Sequence, residues 1–317
     1  MITQTMPRLS LVVTSFSLER LNDISDLLTS VSNQTFADFE VVIVLEGSKL
    51  FEQVKKLVSE RKMRDVSVLI NEGKKGLSEG RNLGITHSKG EIIAFADDDV
   101  VLAPNWAEEL LQTFSDKSIV AVTGSAYPLW DDPSKSWLPT ELDWLLSCTG
   151  WCDRLHWAEM RQIRNVWGMN MAFRREAFDT CGLFPTIFGY HRGAMGEDLG
   201  FSMMVRKRTR KRIVFNRKVQ VLHKVHGYRL SWGFMAERSF WIGRSKRMLE
   251  RQYSSSMDED LLSSEKDLLV QIAIQMPRIL KNLRKASVTI IVLLFVGLGF
   301  LLPGIPMPRK TSKELEA

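Results

Sequence analysis

The 317 residues are 44% apolar and 25% charged, an ordinary globular composition that excludes a disordered chain and leaves room for one large domain or two small ones. Three scattered cysteines, Cys148, Cys152 and Cys181, exclude a disulfide framework and, with no second Cys/His pair nearby, a zinc site; they read as reduced thiols on the cytosolic side. With 43 basic and 37 acidic residues, the net charge of +6 suits an anionic ligand or a membrane surface and requires no nucleic acid.

Residues 1–10 lack the apolar h-region of a signal peptide, so the main domain is expected to stay where it is made. Up to about residue 126, short apolar runs alternate with amphipathic stretches. The runs at 9–13, 39–44, 66–70, 91–96 and 119–123 read as buried strands. Helices are expected at about 19–32, 49–61, 77–88 and 104–115, the last opened by Pro104 in its first turn. This alternation implies right-handed crossovers and a mostly parallel α/β sheet with helices on both faces. Ligands of such sheets sit at the carboxyl ends of the strands, here Thr14-Ser15, Leu45-Glu46-Gly47, Asn71-Glu72 and Asp97-Asp98-Asp99.

After residue 126 the rhythm changes. A loop rich in Trp and Pro leads to residues 165–174, then to a helix from Glu197 and to short strands near 213–215 and 219–222. Arg206, Lys207, Arg208, Arg210, Lys211, Arg212, Arg217 and Lys218 crowd one stretch, either as a solvated face or as a phosphate or headgroup contact. Residues 261–283 mix apolar residues with Lys and Arg in a helical rhythm, as a helix lying at a membrane interface would.

Residues 286–308 carry no charge and, if wholly helical, span about 34 Å against a hydrocarbon core of ~30 Å. Pro303, Pro306 and Pro308 spoil the last turn, so the unbroken part is slightly short, which favours a re-entrant or partly inserted helix over a tilted span. A buried helix of a soluble core is the alternative. The basic residues Arg278, Lys281, Arg284 and Lys285 before the segment, against Arg309, Lys310 and Lys313 after it, lean toward a main domain on the cytoplasmic face of the cell membrane. The expected layout is a catalytic domain at 1–253, an interfacial region at 254–285, a transmembrane or membrane-inserted helix at 286–308 and a tail at 309–317.

Three consecutive carboxylates at the end of an apolar strand repel one another and need a positive partner to stay ionised together. Alternate side chains on an extended strand share a side, so Asp97 and Asp99 can hold Mg2+ or Mn2+ and a diphosphate, with Asp98 mattering less to the metal. A solvated acidic turn is the bland alternative, made less fitting by the buried strand that precedes it. The second acidic cluster, Gly196-Glu197-Asp198-Leu199-Gly200, can be a helix start favoured by the dipole, or can supply a general base for an acceptor hydroxyl.

Five segments occur in an order that resembles the inverting family-2 glycosyltransferases of GT-A fold. They are Leu11-Val12-Val13-Thr14-Ser15-Phe16; Gly76-Leu77-Ser78-Glu79-Gly80-Arg81-Asn82-Leu83-Gly84; Phe95-Ala96-Asp97-Asp98-Asp99; Gly168-Met169-Asn170-Met171-Ala172-Phe173-Arg174; and Gly196-Glu197-Asp198. The resemblance covers about residues 9–247. It implies a nucleotide-sugar donor contacting Thr14, Ser15, Glu46, Arg81, Asp97 and Asp98, with Arg81 near the phosphates or holding the acidic strand. It also implies an acceptor beside Trp167, Gly168, Asn170 and Glu197, and Asp198 as the base.

The implied mechanism is one in-line displacement at the anomeric carbon with inversion, the departing diphosphate neutralised by a metal. Many members carry an acidic pair where this chain has only Glu46, so the nucleobase stays open, a UDP-sugar being the expected donor. His223 is either structural or a third metal ligand, and His226 follows it. Residues 237–244 look like a reduced form of the family's Arg-Trp motif without its Gln; Arg238 and Trp241 are donor contacts or part of a packed aromatic helix face.

The membrane segments point to a polyprenyl- or dolichyl-phosphate-linked glycan as acceptor, with an exopolysaccharide or surface glycan as the near alternative. One helix is too little for a polymer-export channel. A catalytically silent membrane scaffold would be expected to lose one of the acidic clusters, and a nucleotidyltransferase would want a Gly-rich basic loop where Thr14-Ser15-Phe16-Ser17-Leu18-Glu19 stands.

Overall fold

The structure, a computed structural model, describes residues 8–186, 196–253 and 263–302. The expectations for Pro303, Pro306, Pro308 and the tail fall outside those residues, as does the start of the interfacial region.

The first half follows the apolar runs. Strands β1 (Leu9–Ser15), β2 (Phe39–Leu45), β3 (Val66–Ile70) and β4 (Ile92–Asp97) alternate with helices α1 (Leu21–Ser32), α2 (Ser48–Glu60) and α3 (Leu77–His87). They pair in parallel in the order β3-β2-β1-β4. The runs are continuous rather than alternating because helices cover both faces of a parallel sheet. One face packs Leu11, Val13, Ile43 and Ala94, and the other Val12, Val42, Ile93 and Phe95. The connections reverse direction at β1 and β4, opening a crevice at their carboxyl ends, where Ser15 and Asp97 lie.

Beyond Asp97 the sheet ceases to be parallel. A three-residue strand β5 (Val100–Leu102) precedes α4 (Trp106–Thr113), whose N-cap is Asn105, so Pro104 stands before the helix rather than in its first turn. Then come β6 (Ile119–Trp130), a short helix α5 (Gly150–Arg154), β7 (Met160–Ile163), β8 (Asn170–Arg174), α6 (Arg175–Cys181), α7 (Glu197–Thr209) and β9 (Arg212–Val225). β8 inserts antiparallel between β4 and β6, and β9 runs parallel to β6. The free edge of β9 takes β7 along its first half and β5 along its second, both antiparallel. The mostly parallel expectation therefore holds for the first four strands, and the complete sheet is mixed.

The two short strands expected near 213–222 are one long strand. Its polar interruption, Asn216-Arg217-Lys218, coincides with a register shift opposite Gly124–Ala126. The basic stretch here is a solvated, paired face: Lys211 meets Glu176, Arg212 meets Asp116, Arg217 meets Asp153 and Lys218 meets Glu159.

The chain continues in α8 (Trp232–Tyr253), α9 (Ser263–Ile279) and α10 (Leu283–Leu301). α10 lies along α8 at backbone contact: a Cβ on Gly243 would come 2.0 Å from the Val296 carbonyl oxygen, and one on Gly299 equally close to that of Phe240. The first half of α10 buries Val288 and Val292 against Leu138, Leu142 and Leu145, and Arg284 stacks on Trp137. Glu265 of α9 bridges Arg164 (3.0 Å) and Lys246 (2.5 Å); burial pushes its carboxyl up and those two cations outweigh it, bringing it to about 2. Exposed on the far side of α9 and α10 are Leu269, Val270, Ile274, Leu283, Ile290, Leu294 and Leu301.

Candidate active site

The acidic triplet ends β4 and turns into β5. Each of its members meets a different neighbour. Parallel pairing sets Thr14 opposite Asp97, which brings the next residue, Ser15, to Asp98; the Ser15 hydroxyl donates to Asp98 Oδ2. Burial, with the Asp99 charge adding to it, pushes the Asp98 carboxyl up to about 7. Asp98 is thus turned inward and 9% exposed.

Asp97 and Asp99 face the other way. Antiparallel pairing of β5 sets Val100 opposite His223, and the Lys224 N–H donates to the Asp99 carbonyl (2.8 Å). His223 Nε2 consequently lies 3.0 Å from Asp99 Oδ1 and 4.0 Å from Asp97 Oδ2. On the other side of the ring, Nδ1 is 2.8 Å from the Leu146 carbonyl oxygen, which places the proton on Nδ1 and leaves the lone pair on Nε2. Nε2 is buried with no hydrogen-bond partner among the described residues.

A lone pair aimed at two carboxylates is repulsive unless a cation lies between them. One ligand atom from each of Asp97, Asp99 and His223 falls within 4.8 Å of the others. Two carboxylate oxygens and an imidazole nitrogen suit Mg2+ or Mn2+, so the residues present fit such an ion.

Two arginines that the sequence reading did not single out complete this side. Arg20 Nη1 (3.0 Å) and Arg229 Nη2 (2.6 Å) both donate to Asp99 Oδ2, and Arg20 Nη2 donates to the Tyr228 hydroxyl (3.1 Å). Burial pushes the Asp99 carboxyl up, but Arg229 and Arg20, joined by His223 whenever its ring carries both protons, outweigh it and hold it far below the usual carboxylate range. His226 bridges Asp23 and Asp131 at 3.0 Å each, outside the metal-ligand group.

Arg81, almost fully buried, ties the first acidic cluster to the second. It donates to Glu197 Oε1 (2.7 Å), Asp97 Oδ1 (3.4 Å) and the Gly168 carbonyl (3.0 Å). A Cβ on Gly168 would stand 2.8 Å from that guanidinium, hence a glycine there. The Gly168 N–H donates to Asp198 Oδ2 (2.9 Å), and the Leu199 N–H to Asp198 Oδ1 (2.7 Å). Burial and the adjacent Glu197 charge push the Asp198 carboxyl up to about 6, against the pull of Arg81 and the two backbone donors. A carboxylate so poised is half-buried and ionised at neutral pH, as a general base must be.

The other expected contact residues also have partners within the fold. Asn170 is 1% exposed, its amide donating to the carbonyls of Ser125 and Val219 and accepting from Trp106 Nε1 (2.9 Å), so that it braces three strands and a helix. Glu46 accepts from the Gly76 N–H (2.7 Å) at the left-handed turn before α3, and Thr14 packs against Gly80. Trp167 joins a cluster with Trp151, Trp157 and Phe215. Arg238 and Trp241 sit on α8: the first donates to Ser147 Oγ (2.8 Å), and the second packs edge-on to Phe240 beneath Arg244. These contacts make Trp241 part of the helix packing. The cysteines are buried, with burial pushing all three thiols up, as inert structural thiols.

The chain has known relatives. Residues 10–182 match the family model described as glycosyl transferase family 2. A glucosyl-dolichyl phosphate glucuronosyltransferase of Haloferax volcanii is 28% identical over 315 residues, covering 96% of this chain and 99% of that protein. Glycosyltransferase AglE of the same organism is 27% identical over 39% of this chain and 41% of its own. A solved structure of a mannosyltransferase from Pyrobaculum calidifontis, in complex with GDP-Man and Mn2+, superposes with a TM-score of 0.64 at 14% identity, over 95% of this chain and 89% of that one. That similarity concerns the fold alone, which is of the GT-A type. With more than half of its length matched by the family model, the chain belongs to glycosyl transferase family 2 and is a glycosyltransferase.

Proposed function

We propose that the chain moves a sugar from a nucleotide-sugar donor, expected to be a UDP-sugar, to a polyprenyl- or dolichyl-phosphate-linked glycan, on the cytoplasmic face of the cell membrane. The observation that carries the donor half is the convergence of Asp97, Asp99 and His223 Nε2, the ring fixed by Leu146. Mg2+ or Mn2+ held there would neutralise charge on the departing nucleoside diphosphate. Arg20 and Arg229, already within reach of Asp99, add guanidinium donors suited to phosphate oxygens.

Asp198, oriented by the Gly168 and Leu199 N–H groups, takes the proton of the acceptor hydroxyl as that oxygen attacks the anomeric carbon, so the configuration inverts. Arg81 positions both clusters through Asp97 and Glu197 without being the base itself. The lipid-linked acceptor is supported by the full-length relative that acts on a glucosyl-dolichyl phosphate, and by the exposed apolar side chains gathered on α9 and α10. A catalytic domain at 1–253 with membrane-associated helices after it remains the layout proposed.

The test incubates purified protein and a membrane lipid extract with labelled nucleotide sugars, with and without chelator, beside Asp99→Ala and Asp198→Ala. Transfer to a lipid product is expected, abolished by chelation and reduced at least 100-fold in each variant, on the scale of losing metal electrostatics or a general base. Chelator-resistant transfer, or full activity in both variants, would sink the mechanism.

A further inference from the structure

Away from the acidic clusters, a cavity of about 390 Å3 opens between the catalytic body and α9, lined among others by Tyr127, Asp143, Asp153, His156, Gln271 and Gln275. Its size falls within the roughly 300–1,000 Å3 of small-molecule sites. Asp143 is only 5% exposed, yet it lines the cavity, and no hydrogen bond from another described residue occupies its carboxyl group. A carboxyl group that faces a cavity without a protein partner is free to hydrogen-bond to a ligand there. Burial, with the charge of Glu141 added, pushes this carboxyl up to about 8, so at neutral pH it is a neutral acid able both to donate and to accept.

The other walls are of the same kind. The Tyr127 hydroxyl donates to Asp153 (3.1 Å), and Thr140 and two glutamine amides add donors and acceptors. Asp153 and Arg154 face the same space with opposite charges, so it holds no surplus cation for an anionic occupant, whereas a neutral polyol can hydrogen-bond to every one of these groups. Gln271 and Gln275, one turn apart, stand on α9 between its buried Ile272 and Ile279 and its exposed Val270 and Ile274. A ligand there has an apolar surface beside it. The cavity also shares a wall with the metal-ligand group: the Cys148 N–H donates to the Asp143 carbonyl (3.0 Å), while Leu146, two residues earlier, holds the His223 ring.

We propose that this cavity receives a neutral sugar ring of the lipid-linked acceptor, its lipid lying on the apolar face of α9 and α10. The inference rests on the lipid-linked reading above for its acceptor, and on the cavity alone for its chemistry. The test uses the full chain in a detergent without a sugar head group. Methyl glucopyranoside and methyl mannopyranoside serve as probes in saturation-transfer NMR, with sodium glucuronate as the anionic comparison.

The two neutral glycosides should receive saturation and glucuronate should not. The effect should vanish in Gln275→Phe, which fills the cavity, and in the double variant Gln271→Leu with Gln275→Leu. With a lipid-linked glycan as acceptor, both variants should raise its Michaelis constant at least tenfold, leaving kcat and donor hydrolysis within twofold. No saturation in the parent, undiminished saturation in both variants, equal saturation of glucuronate, or an unchanged Michaelis constant overturns the proposal. Because the NMR arm contains no donor, absence of transferase activity would defeat the functional reading without touching this one.

Discussion

The acidic triplet acts as three different residues because strand geometry hands each a different partner. Asp98 goes to Ser15, Asp97 to Arg81, and Asp99 to His223, Arg20 and Arg229. Asp198 is a fourth case, with a carboxyl pushed up to about 6 by burial and by Glu197. A base works only when ionised, so kcat/KM should rise with pH through an acid limb near pH 6. In Glu197→Gln the like charge is gone, and the limb should move to lower pH; a pH profile in which it stays or moves up would remove Asp198 as the base. Asp97, Asp99 and Asp198 were legible in the sequence because local alternation and a helix start frame them. Arg20, Arg229 and Leu146 were not: they reach their partners across 79, 130 and 77 residues, with no motif around them.

At the scale of elements, α8 and α10 meet through glycines, and one glycine on each helix gives an opposite prediction. At Gly243 an added Cβ would lie 2.0 Å from a backbone carbonyl, so Gly243→Ala must push the helices apart at a cost of about 1–3 kcal/mol. Gly297 has nothing within 4 Å of the same position, so Gly297→Ala should gain up to ~1 kcal/mol of helix propensity. Thermal melts of the two variants should therefore shift in opposite directions, and a shared sign would show that the helices do not meet as described.

Which elements were readable follows the same physics. β1 to β4 are buried on both faces and announce themselves as unbroken apolar runs, whereas β5 and β7, with three and four residues, are strands only because β9 offers them an edge. Nothing within Met160-Arg161-Gln162-Ile163 signals that partner. The surroundings of Asn170 were hidden for a related reason: its family-like segment was visible, but its enclosure by Trp106, Ser125 and Val219 comes from three other elements.

For the whole molecule, the open matter is how α10 meets a membrane. Its length and lack of charge after Lys285 would let it cross a bilayer, yet it is bound along its length to α8, which carries Arg238, Arg244, Lys246, Arg247 and Arg251. A helix tied to that much charge cannot leave it to span lipid without exposing Gly243 and Val292, so the arrangement favours α10 lying along the surface with Ile290, Leu294 and Leu301 immersed. Single cysteines at Ile290, Leu294 and Leu301 would carry spin labels selectively, since Cys148, Cys152 and Cys181 are buried. In vesicles, a surface-lying helix puts the three labels at one depth. A spanning helix separates the first from the last by about 16 Å, at 1.5 Å for each of the intervening residues. Equal depths are expected, and a graded series would mean that α10 detaches from α8 to cross the bilayer.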